Sequence, residues 1–330
     1  MDNVTHTLTG LALARAGLKR FTPHGTLLLV IAANLPDIDM VSWFKGWLSV
    51  IENHRGYTHS LIGLPVMAGL AVVLTALLAR KRLAWRGACL IAFIGVISHL
   101  LLDWSMSYGV RPLIPFSSRW FHLDWYPLLD WVVLGMLAVA WLAPGLGKLV
   151  SEEIGARGGS GKGLAVLALC FIAAYGCFRG VMHSRVMAQL NSRLYEKVLG
   201  GAATRMSAFP QSVNPFAWNA IVEGEHAFRL YTLSPYGTFD PASGALVYKT
   251  NWSSTLERVS RARPFQYALY FSRFPYWDQA PDNQNLTRVS VTDVRFGPPG
   301  QSFFRVSALV DAAGNVQQVW FGNDGVKPVE

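Results

Sequence analysis

The chain has 330 residues, of which 52% are hydrophobic and only 15% are charged. Soluble domains carry about a quarter charged residues, so this composition argues against an ordinary soluble protein and indicates a membrane protein. The net charge of +9 is not gathered in a dense basic stripe, which argues against nucleic acid as a partner. The 12 Trp fit the lipid bilayer as a partner, because Trp gathers at membrane interfaces.

Two weak apolar segments come first in the chain, over residues 4–18 and 25–35. As helices they would be only about 22 and about 17 Å long, which is short for a hydrocarbon core of about 30 Å. Tilted spans, a re-entrant pair and interfacial helices all remain open. We favour a helical pair that enters and leaves the membrane.

Four longer apolar runs follow, over residues 61–79, 88–104, 128–146 and 163–182. Each has the length of a membrane-spanning helix. The basic loop at residues 80–86 is predicted to be cytoplasmic, because cytoplasmic loops carry an excess of Lys and Arg. The loop at residues 147–163, which is rich in glycine, is predicted to lie on the same side. Alternation then places the N-terminus and everything after residue 183 outside.

The composition changes after residue 182. Residues 184–209 are predicted to form a helical linker, and residues 210–330 an antiparallel β-rich domain outside the membrane. The predicted strands are short runs rich in aromatic and β-branched residues, at 226–234, 244–250, 265–274, 287–297, 302–311 and 315–322, with a turn at 323–325. The predicted fold class is a membrane all-α domain over residues 1–183, with five to six transmembrane or re-entrant helices, followed by a small extramembrane β-rich domain.

Several histidines and aspartates fall at the outer level of the membrane in this topology. Imidazole and carboxylate groups together suit zinc, iron, manganese or nickel. Any one of these residues alone would more often be a packing residue, but ionisable groups within spans are expensive and converge here. A single tetrahedral ion could not use them all, so two or more ions are plausible. The predicted ligands are His6, Asp37, Asp39, His54, His59, His99 and Asp103.

The spacing of these residues supports a shared site. His99 and Asp103 are four apart on a predicted helix, so they project from one face. Asp37 and Asp39 are two apart after a proline, and in an extended turn they would point the same way. His54 and His59 are separated by Gly56, which is suited to a turn.

Arg55 lies between two predicted ligands. Its planar guanidinium could hold a phosphate or a carboxylate. The alternative is an interfacial arginine whose charged end reaches toward water. Asp130, in an aromatic-rich outer loop, could orient a ligand histidine from behind.

Four motifs occur in the order HTLTG, NLPDID, HRGYTHS and SHLLLDW. Together they resemble the bacterial inner-membrane-associated family of metal-dependent hydrolases described as LexA-binding, membrane-bound hydrolase-like. The resemblance covers roughly residues 1–180, and HRGYTHS is its most distinctive motif. The pattern is also loosely similar to zinc-dependent phospholipase C, which cleaves phosphoesters with His and Asp ligands. The resemblance implies a multi-pass protein of the inner (plasma) membrane that uses a divalent metal ion. Zinc is the expected metal, and one to three ions are expected per chain.

The hypothesis is therefore a metal-dependent hydrolase that acts on a phosphoester or similar bond of a lipid or membrane-proximal substrate. Bound metal would lower the pKa of water toward about 7. One of the aspartates would act as base. The sequence does not show which aspartate is the base, and we take Asp39 as the catalytic candidate. Arg55 is the second catalytic candidate and would hold an anionic group.

Two other interpretations are open. The same residues could form a metal-binding transporter or sensor, or a structural metal site that anchors the β domain. Transporters often place their ionisable residues near the middle of the membrane. Here they cluster at one face, which favours hydrolysis.

Overall fold

A computed structural model of the protein describes residues 1–153, 160–282 and 286–322. The glycine-rich part of the loop predicted at 147–163 and the turn predicted at 323–325 fall outside the described residues. The described residues form a helical N-terminal part followed by two four-stranded sheets. This arrangement confirms the predicted fold class.

The N-terminal part consists of helices joined mostly by short 3-10 segments. Their bounds are α1 Asn3–Ala16, α2 Gly25–Asn34, α3 Trp47–Asn53, α4 Gly63–Ala79, α5 Trp85–Trp104, α6 Trp131–Glu153 and α7 Lys162–Asn191. A 3-10 segment, Leu35–Lys45, continues directly from α2. The Asp2 side chain caps α1 by accepting a hydrogen bond from the Thr5 backbone N–H at 3.0 Å.

Four helical segments of the described chain are long and apolar enough to cross a membrane, and a fifth is possible if a bent pair counts as one span. The second weak segment of the sequence belongs to this set, because the 3-10 continuation extends it to 21 residues. The remaining segments correspond to the longer apolar runs. The set is Gly25–Lys45, Trp85–Trp104, Trp131–Lys148, Lys162–Asn191 and the bent pair Trp47–His59 with Gly63–Ala79.

Small residues bring α1, α2 and α5 close together. A Cβ on Gly10 of α1 would lie 2.8 Å from the Leu29 carbonyl oxygen of α2. A Cβ on Gly95 of α5 would lie 2.7 Å from the Ala32 Cβ of α2. Membrane helices approach closely where such small residues meet, and van der Waals packing then holds them. This close packing brings the polar ends of the three helices within reach of one another.

Two antiparallel sheets follow, each with its strands in chain order. The first sheet contains β1 Arg205–Pro210, β2 Trp218–Glu223, β3 Ala227–Leu233 and β4 Ala245–Tyr248. The second contains β5 Pro275–Pro281, β6 Thr287–Asp293, β7 Arg305–Val310 and β8 Val316–Phe321. Three further short helices are α8 Glu196–Leu199, α9 Ser254–Ser260 and α10 Arg263–Phe271.

One predicted strand is wrong. The run at 265–274 alternates aromatic and other residues, but it lies mostly in α10. Phe265, Ala268 and Phe271 are the buried positions, and their spacing of three residues is that of a helix face. Pro264, in the first turn of α10, is a helix-start residue that the strand prediction overlooked.

The predictions also missed β1, β2 and β5. Proline at both ends of β5 concealed that strand. The predicted helical linker is only partly helical, because α7 continues to Asn191, α8 is one short turn, and β1 begins at Arg205.

Contacts between residues divide the chain into two compact units. The first unit is Met1–Val41, Asn53–Arg185 and Phe209–Trp218; the second is Ser42–Glu52, Val186–Ala208 and Asn219–Glu330. The second unit includes a short segment from between two predicted ligand motifs. Within that unit Glu52 accepts hydrogen bonds from Arg263 and Tyr267, at 3.0 and 2.6 Å.

Candidate metal centre

The predicted ligands meet where several elements of the first unit end. Asp37 and Asp39 follow α2 on its 3-10 continuation. His59 ends a short 3-10 turn just before α4. His99 and Asp103 lie in the last turns of α5. The close contact of α2 with α5 therefore brings the NLPDID and SHLLLDW motifs together, and α4, which packs on both helices, brings the HRGYTHS motif to the same place.

Four ligand atoms form a compact set, which we call the closed set: Asp37 Oδ1, His59 Nε2, His99 Nε2 and Asp103 Oδ2. The two nitrogens lie 3.1 Å apart. Each lies 3.6 Å from Asp37 Oδ1, and they lie 3.4 and 3.5 Å from Asp103 Oδ2. In a regular tetrahedron, vertices about 3.3–3.4 Å apart lie about 2.0–2.1 Å from the centre, which is the length of zinc–nitrogen and zinc–oxygen bonds.

The hydrogen bonds behind the two histidines point their Nε2 lone pairs toward each other. His99 Nδ1 lies 2.7 Å from the Ala33 carbonyl oxygen, which can only accept, so Nδ1 carries the proton. His59 Nδ1 lies 2.9 Å from the Thr58 hydroxyl, which in turn donates to Asp39 at 2.7 Å. A second contact, 3.5 Å from His59 Nδ1 to the Asp39 carboxylate, favours a proton on this nitrogen also. Metal-binding histidines are oriented by such bonds from their other nitrogen.

The carboxylate oxygens of the closed set also fit a cation. Asp37 Oδ1 and Asp103 Oδ2 are buried and accept no regular hydrogen bond within the described part of the chain, although Asp103 Oδ2 lies 3.1 Å from Arg55 Nη2. His59, His99 and Asp103 are fully buried. Buried carboxylates are normally paired or coordinate a metal. Two imidazole nitrogens and two buried carboxylate oxygens form a donor set that suits a divalent cation such as zinc.

A second group, which we call the open set, contains Asp37, Asp39 and His54. One ligand atom from each residue lies within 4.8 Å of the others. All three residues are partly exposed, but mainly through His54: its side chain keeps 21% of its accessible surface, against 9% for Asp37 and 7% for Asp39. Asp37 belongs to both sets. A set of three protein ligands that solvent reaches at His54 would leave a position for a water or a substrate, as in catalytic zinc sites.

Asp39 also organises the loop that carries the histidines. Its Oδ2 accepts hydrogen bonds from the Arg55 backbone N–H at 2.8 Å and from the Thr58 hydroxyl. Its Oδ1 lies 2.9 Å from His54 Nδ1. Thr58 was not among the predicted site residues, although it lies inside the HRGYTHS motif. The predicted turn at Gly56 is present, since the Gly56 carbonyl accepts from the His59 N–H at 3.0 Å.

His6 lies beside the closed set. Its ring stacks on His99 with a centroid distance of 3.8 Å, and its Nε2 lies 3.3 Å from Asp103 Oδ1. The Met1 amino group contacts the same oxygen. His6 is fully buried, and neither ring nitrogen has a hydrogen-bond partner among the described residues.

Arg55 is almost completely buried and forms an ion pair with Asp103, with Nη2 3.1 Å from Oδ2. Its Nη1 donates to the Gly109 carbonyl at 3.2 Å. The backbone of Arg55 has a positive φ of 56°, which is uncommon for a residue with a side chain. The surrounding contacts must therefore hold this conformation in place.

Asp130 lies elsewhere and caps a helix instead of orienting a ligand. Its carboxylate accepts hydrogen bonds from the Val132 and Val133 backbone N–H groups, at 3.0 and 3.1 Å, at the start of α6. Burial raises the pKa of the Asp130 carboxyl. The earlier suggestion that Asp130 supports a ligand histidine is therefore wrong.

The geometry can hold one enclosed cation and a second, accessible one beside it, joined by Asp37. Adjacent metal ions can stabilise both the attacking and the leaving oxygen of a displacement reaction. An enclosed tetrahedral site alone is typical of a structural zinc. The chemistry that the site can perform therefore depends on whether the open set also binds metal.

Comparisons with known proteins agree with a membrane location. The family described as YdjM inner membrane protein matches residues 1–186. The uncharacterized protein YfhP of Bacillus subtilis (strain 168) is 26% identical over 241 residues, which cover 69% of this chain and 67% of that protein. No solved structure matches the chain. Since the family match covers more than half of the sequence, this chain belongs to the YdjM inner membrane protein family.

Proposed function

We propose that this membrane protein is a metal-dependent hydrolase that cleaves a phosphoester or similar bond in a lipid or membrane-proximal substrate. The observation that carries the proposal is Asp37, which is shared between an enclosed four-ligand set and an accessible three-ligand set. A purely structural role gives no reason for an accessible set with room for a further ligand. Divalent ions, when bound, would supply charge stabilisation and a more acidic water.

The residues of the chain have separate tasks in this proposal. His59, His99 and Asp103 hold the enclosed ion, and Arg55 balances the charge of Asp103. His54 and Asp39 face the accessible side, where a substrate would arrive. Asp39 is our candidate for the base, because its Oδ2 is fixed by the loop while its Oδ1 lies beside His54.

Arg55 has two possible roles in this proposal, substrate binding and charge balance. The sequence suggested that its guanidinium holds an anionic group of the substrate, and that remains a prediction. Its contacts favour a role in charge balance, since the guanidinium is buried against Asp103 and the Gly109 carbonyl. Asp103 already has Arg55 and the Met1 amino group as cationic neighbours, whereas the Asp37 carboxylate faces the two histidines, where a divalent ion would supply positive charge.

Metal removal should abolish hydrolysis. The protein purified in detergent should contain about two divalent ions per chain and hydrolyse at least one member of a panel of phosphomonoester, phosphodiester and phospholipid substrates. Chelation should reduce the rate by more than about 100-fold, and zinc or manganese should restore it, because the ions supply most of the charge stabilisation. Elemental analysis and phosphate-release assays provide the measurements.

A structural or sensory metal site is the second candidate, and the enclosed geometry of the closed set favours it. In that case the protein would contain one ion per chain and would lack activity on the whole panel. Removing the ion would lower the melting temperature without any loss of turnover. Metal-dependent uptake into proteoliposomes, without hydrolysis, would instead identify a transporter.

We also propose an orientation, with residues 80–86 in the cytoplasm and the β-rich domain on the periplasmic or exterior side. The loop at 80–86 carries four positive charges in seven residues, which favours the cytoplasm. A reporter that is active only outside the cytoplasm should therefore be active when fused to the C-terminus. The same reporter inserted within residues 80–86 should be inactive. Activity of a cytoplasm-only reporter at the C-terminus would reverse the proposed orientation.

A further inference from the structure

The turn that carries His54 presents its backbone carbonyls to one buried arginine. Arg111 Nη2 donates to the His54 carbonyl oxygen at 2.9 Å, and Arg111 Nε lies 3.4 Å from the Arg55 carbonyl oxygen. Arg111 is only 6% exposed. A Cβ on Gly56 would lie 3.0 Å from Arg111 Nη2, so the guanidinium packs directly against the turn. One side chain thus satisfies two successive carbonyls beside a residue with positive φ.

The segment around Arg111 also holds the far end of the same loop. The Leu61 backbone N–H donates to the Pro112 carbonyl oxygen at 2.9 Å. The segment is itself fixed, because Val110 and Phe121 exchange two backbone hydrogen bonds of 2.8 Å. The Arg111 guanidinium lies over the Trp120 ring, 4.9 Å from its centroid. The loop that carries His54 and His59 is therefore held at His54 and Arg55 and again after His59 by one fixed segment.

The contacts of Arg111 support the open set more than the closed set. His59 has its own supports in Thr58 and Asp39, and His99 and Asp103 are fixed on α5. His54 precedes the strained Arg55, and its backbone carbonyl is bonded by Arg111. A residue held in the left-handed region keeps that conformation only while its surroundings impose it. Without Arg111 the turn would lose two of its supporting contacts, and the Arg55 N–H and His54 Nδ1 contacts with Asp39 would have to hold it alone.

We infer that Arg111 is a positioning residue for the accessible metal ion: its guanidinium fixes the 54–56 turn so that His54 faces Asp37 and Asp39. This inference rests on the proposed metal-dependent function. A planar fork is needed, because Nε and Nη2 must reach two carbonyls at once. Lysine offers a single ammonium group and could satisfy one carbonyl at most. The inference concerns metal binding directly and catalysis only through it.

The test measures metal binding in full-length protein purified in detergent. Arg111→Met should keep the enclosed ion and bind the second ion about 10- to 100-fold more weakly, which is the usual effect of losing a group that supports a ligand. The affinity of Arg111→Lys for the second ion should fall between those of the wild type and Arg111→Met. The matched control is Arg119→Met, an exposed arginine of the same segment, which should bind both ions like the wild type. Zinc titration followed by elemental analysis gives both stoichiometries.

Chemical rescue separates positioning from general support of the fold. Added guanidinium should restore binding of the second ion to Arg111→Ala, because it can occupy the vacated space and donate to the same carbonyls. It should not restore that ion to His54→Ala, which lacks the ligand itself. Wild-type affinity for the second ion in Arg111→Met would overturn the inference. So would equal loss of both ions with a collapse of the melting transition and no rescue.

Failure of the proposed function gives a different pattern. If the wild type binds a single ion and hydrolyses nothing, the open set is not a metal site and the inference falls with the proposal. If the wild type binds two ions and hydrolyses a substrate, but Arg111→Met binds both ions normally, only the role of Arg111 is wrong.

Discussion

Asp103→Asn and His99→Ala proteins should lose the enclosed ion and all hydrolytic activity. Each substitution removes one of the four atoms of the closed set, whose separations match a tetrahedral site. Loss of a supporting residue alone costs about 10- to 100-fold in metal affinity, so loss of a ligand should cost more than about 100-fold. Elemental analysis of the purified proteins and the phosphoester panel measure the two effects.

The two substitutions differ in their effect on the apoprotein. Asp103→Asn keeps the size of the side chain but leaves Arg55 without its carboxylate partner. Removing one partner of a buried ion pair costs about 3–5 kcal/mol, so this variant should also melt earlier without metal. His99→Ala leaves that ion pair intact and should lose metal with a smaller change in apoprotein stability. The comparison separates loss of a ligand from loss of the fold.

His226→Ala is the control for these variants. Its side chain is 72% exposed in the β-rich part, and its Nε2 lies 3.8 Å from the Glu225 carboxylate. It should keep the metal content, the activity and the melting temperature of the wild type. If His99→Ala and Asp103→Asn fold and retain full metal content, the closed set is not a metal site, and these residues pair helices instead.

The helices and the grouping of most of the candidate ligands follow from local patterns in the sequence. The length of each apolar run predicts a membrane span, because a backbone that crosses the hydrocarbon core must satisfy its own hydrogen bonds, as a helix does. The spacing of His99 and Asp103 predicts a shared helix face, and the two side chains meet at 3.5 Å. Gly56 predicts the turn between two ligands. Each of these inferences needs only neighbours within a few residues, where helix and turn geometry apply directly.

The features of the site that the sequence did not predict depend on contacts between residues far apart in the chain. Arg111 lies more than fifty residues from the carbonyls it bonds, and in sequence it is only one charge in an outer loop. The division of the ligands into a closed and an open set depends on burial, which spacing does not encode. In the β-rich part, the alternation at 265–271 outweighed Pro264, although proline at a helix start was the better guide.

Asp37→Asn should empty both metal positions, whereas Asp39→Asn should empty the accessible one and only weaken the enclosed one, by about 10- to 100-fold, because Asp39 also supports His59. Asp37 is the residue common to both sets, while Asp39 belongs to the open set alone. An amide is a weaker ligand for zinc than a carboxylate because it carries no charge. Zinc titration should therefore show about two ions in the wild type, one in Asp39→Asn, and a loss of affinity above about 100-fold for both ions in Asp37→Asn.

The Asp39 variant should lose hydrolytic activity while it still binds the enclosed ion. Asp39→Asn and His54→Ala should both keep the enclosed ion and a melting temperature near that of the wild type, yet hydrolyse no substrate, because the accessible position supplies the reaction face. Asp39→Asn should be the less stable of the two, since Asp39 also accepts hydrogen bonds from the Arg55 N–H and the Thr58 hydroxyl. If Asp37→Asn retains one tightly bound ion, Asp37 does not join the two sets. If Asp39→Asn or His54→Ala retains hydrolysis, the reaction does not occur at the open set.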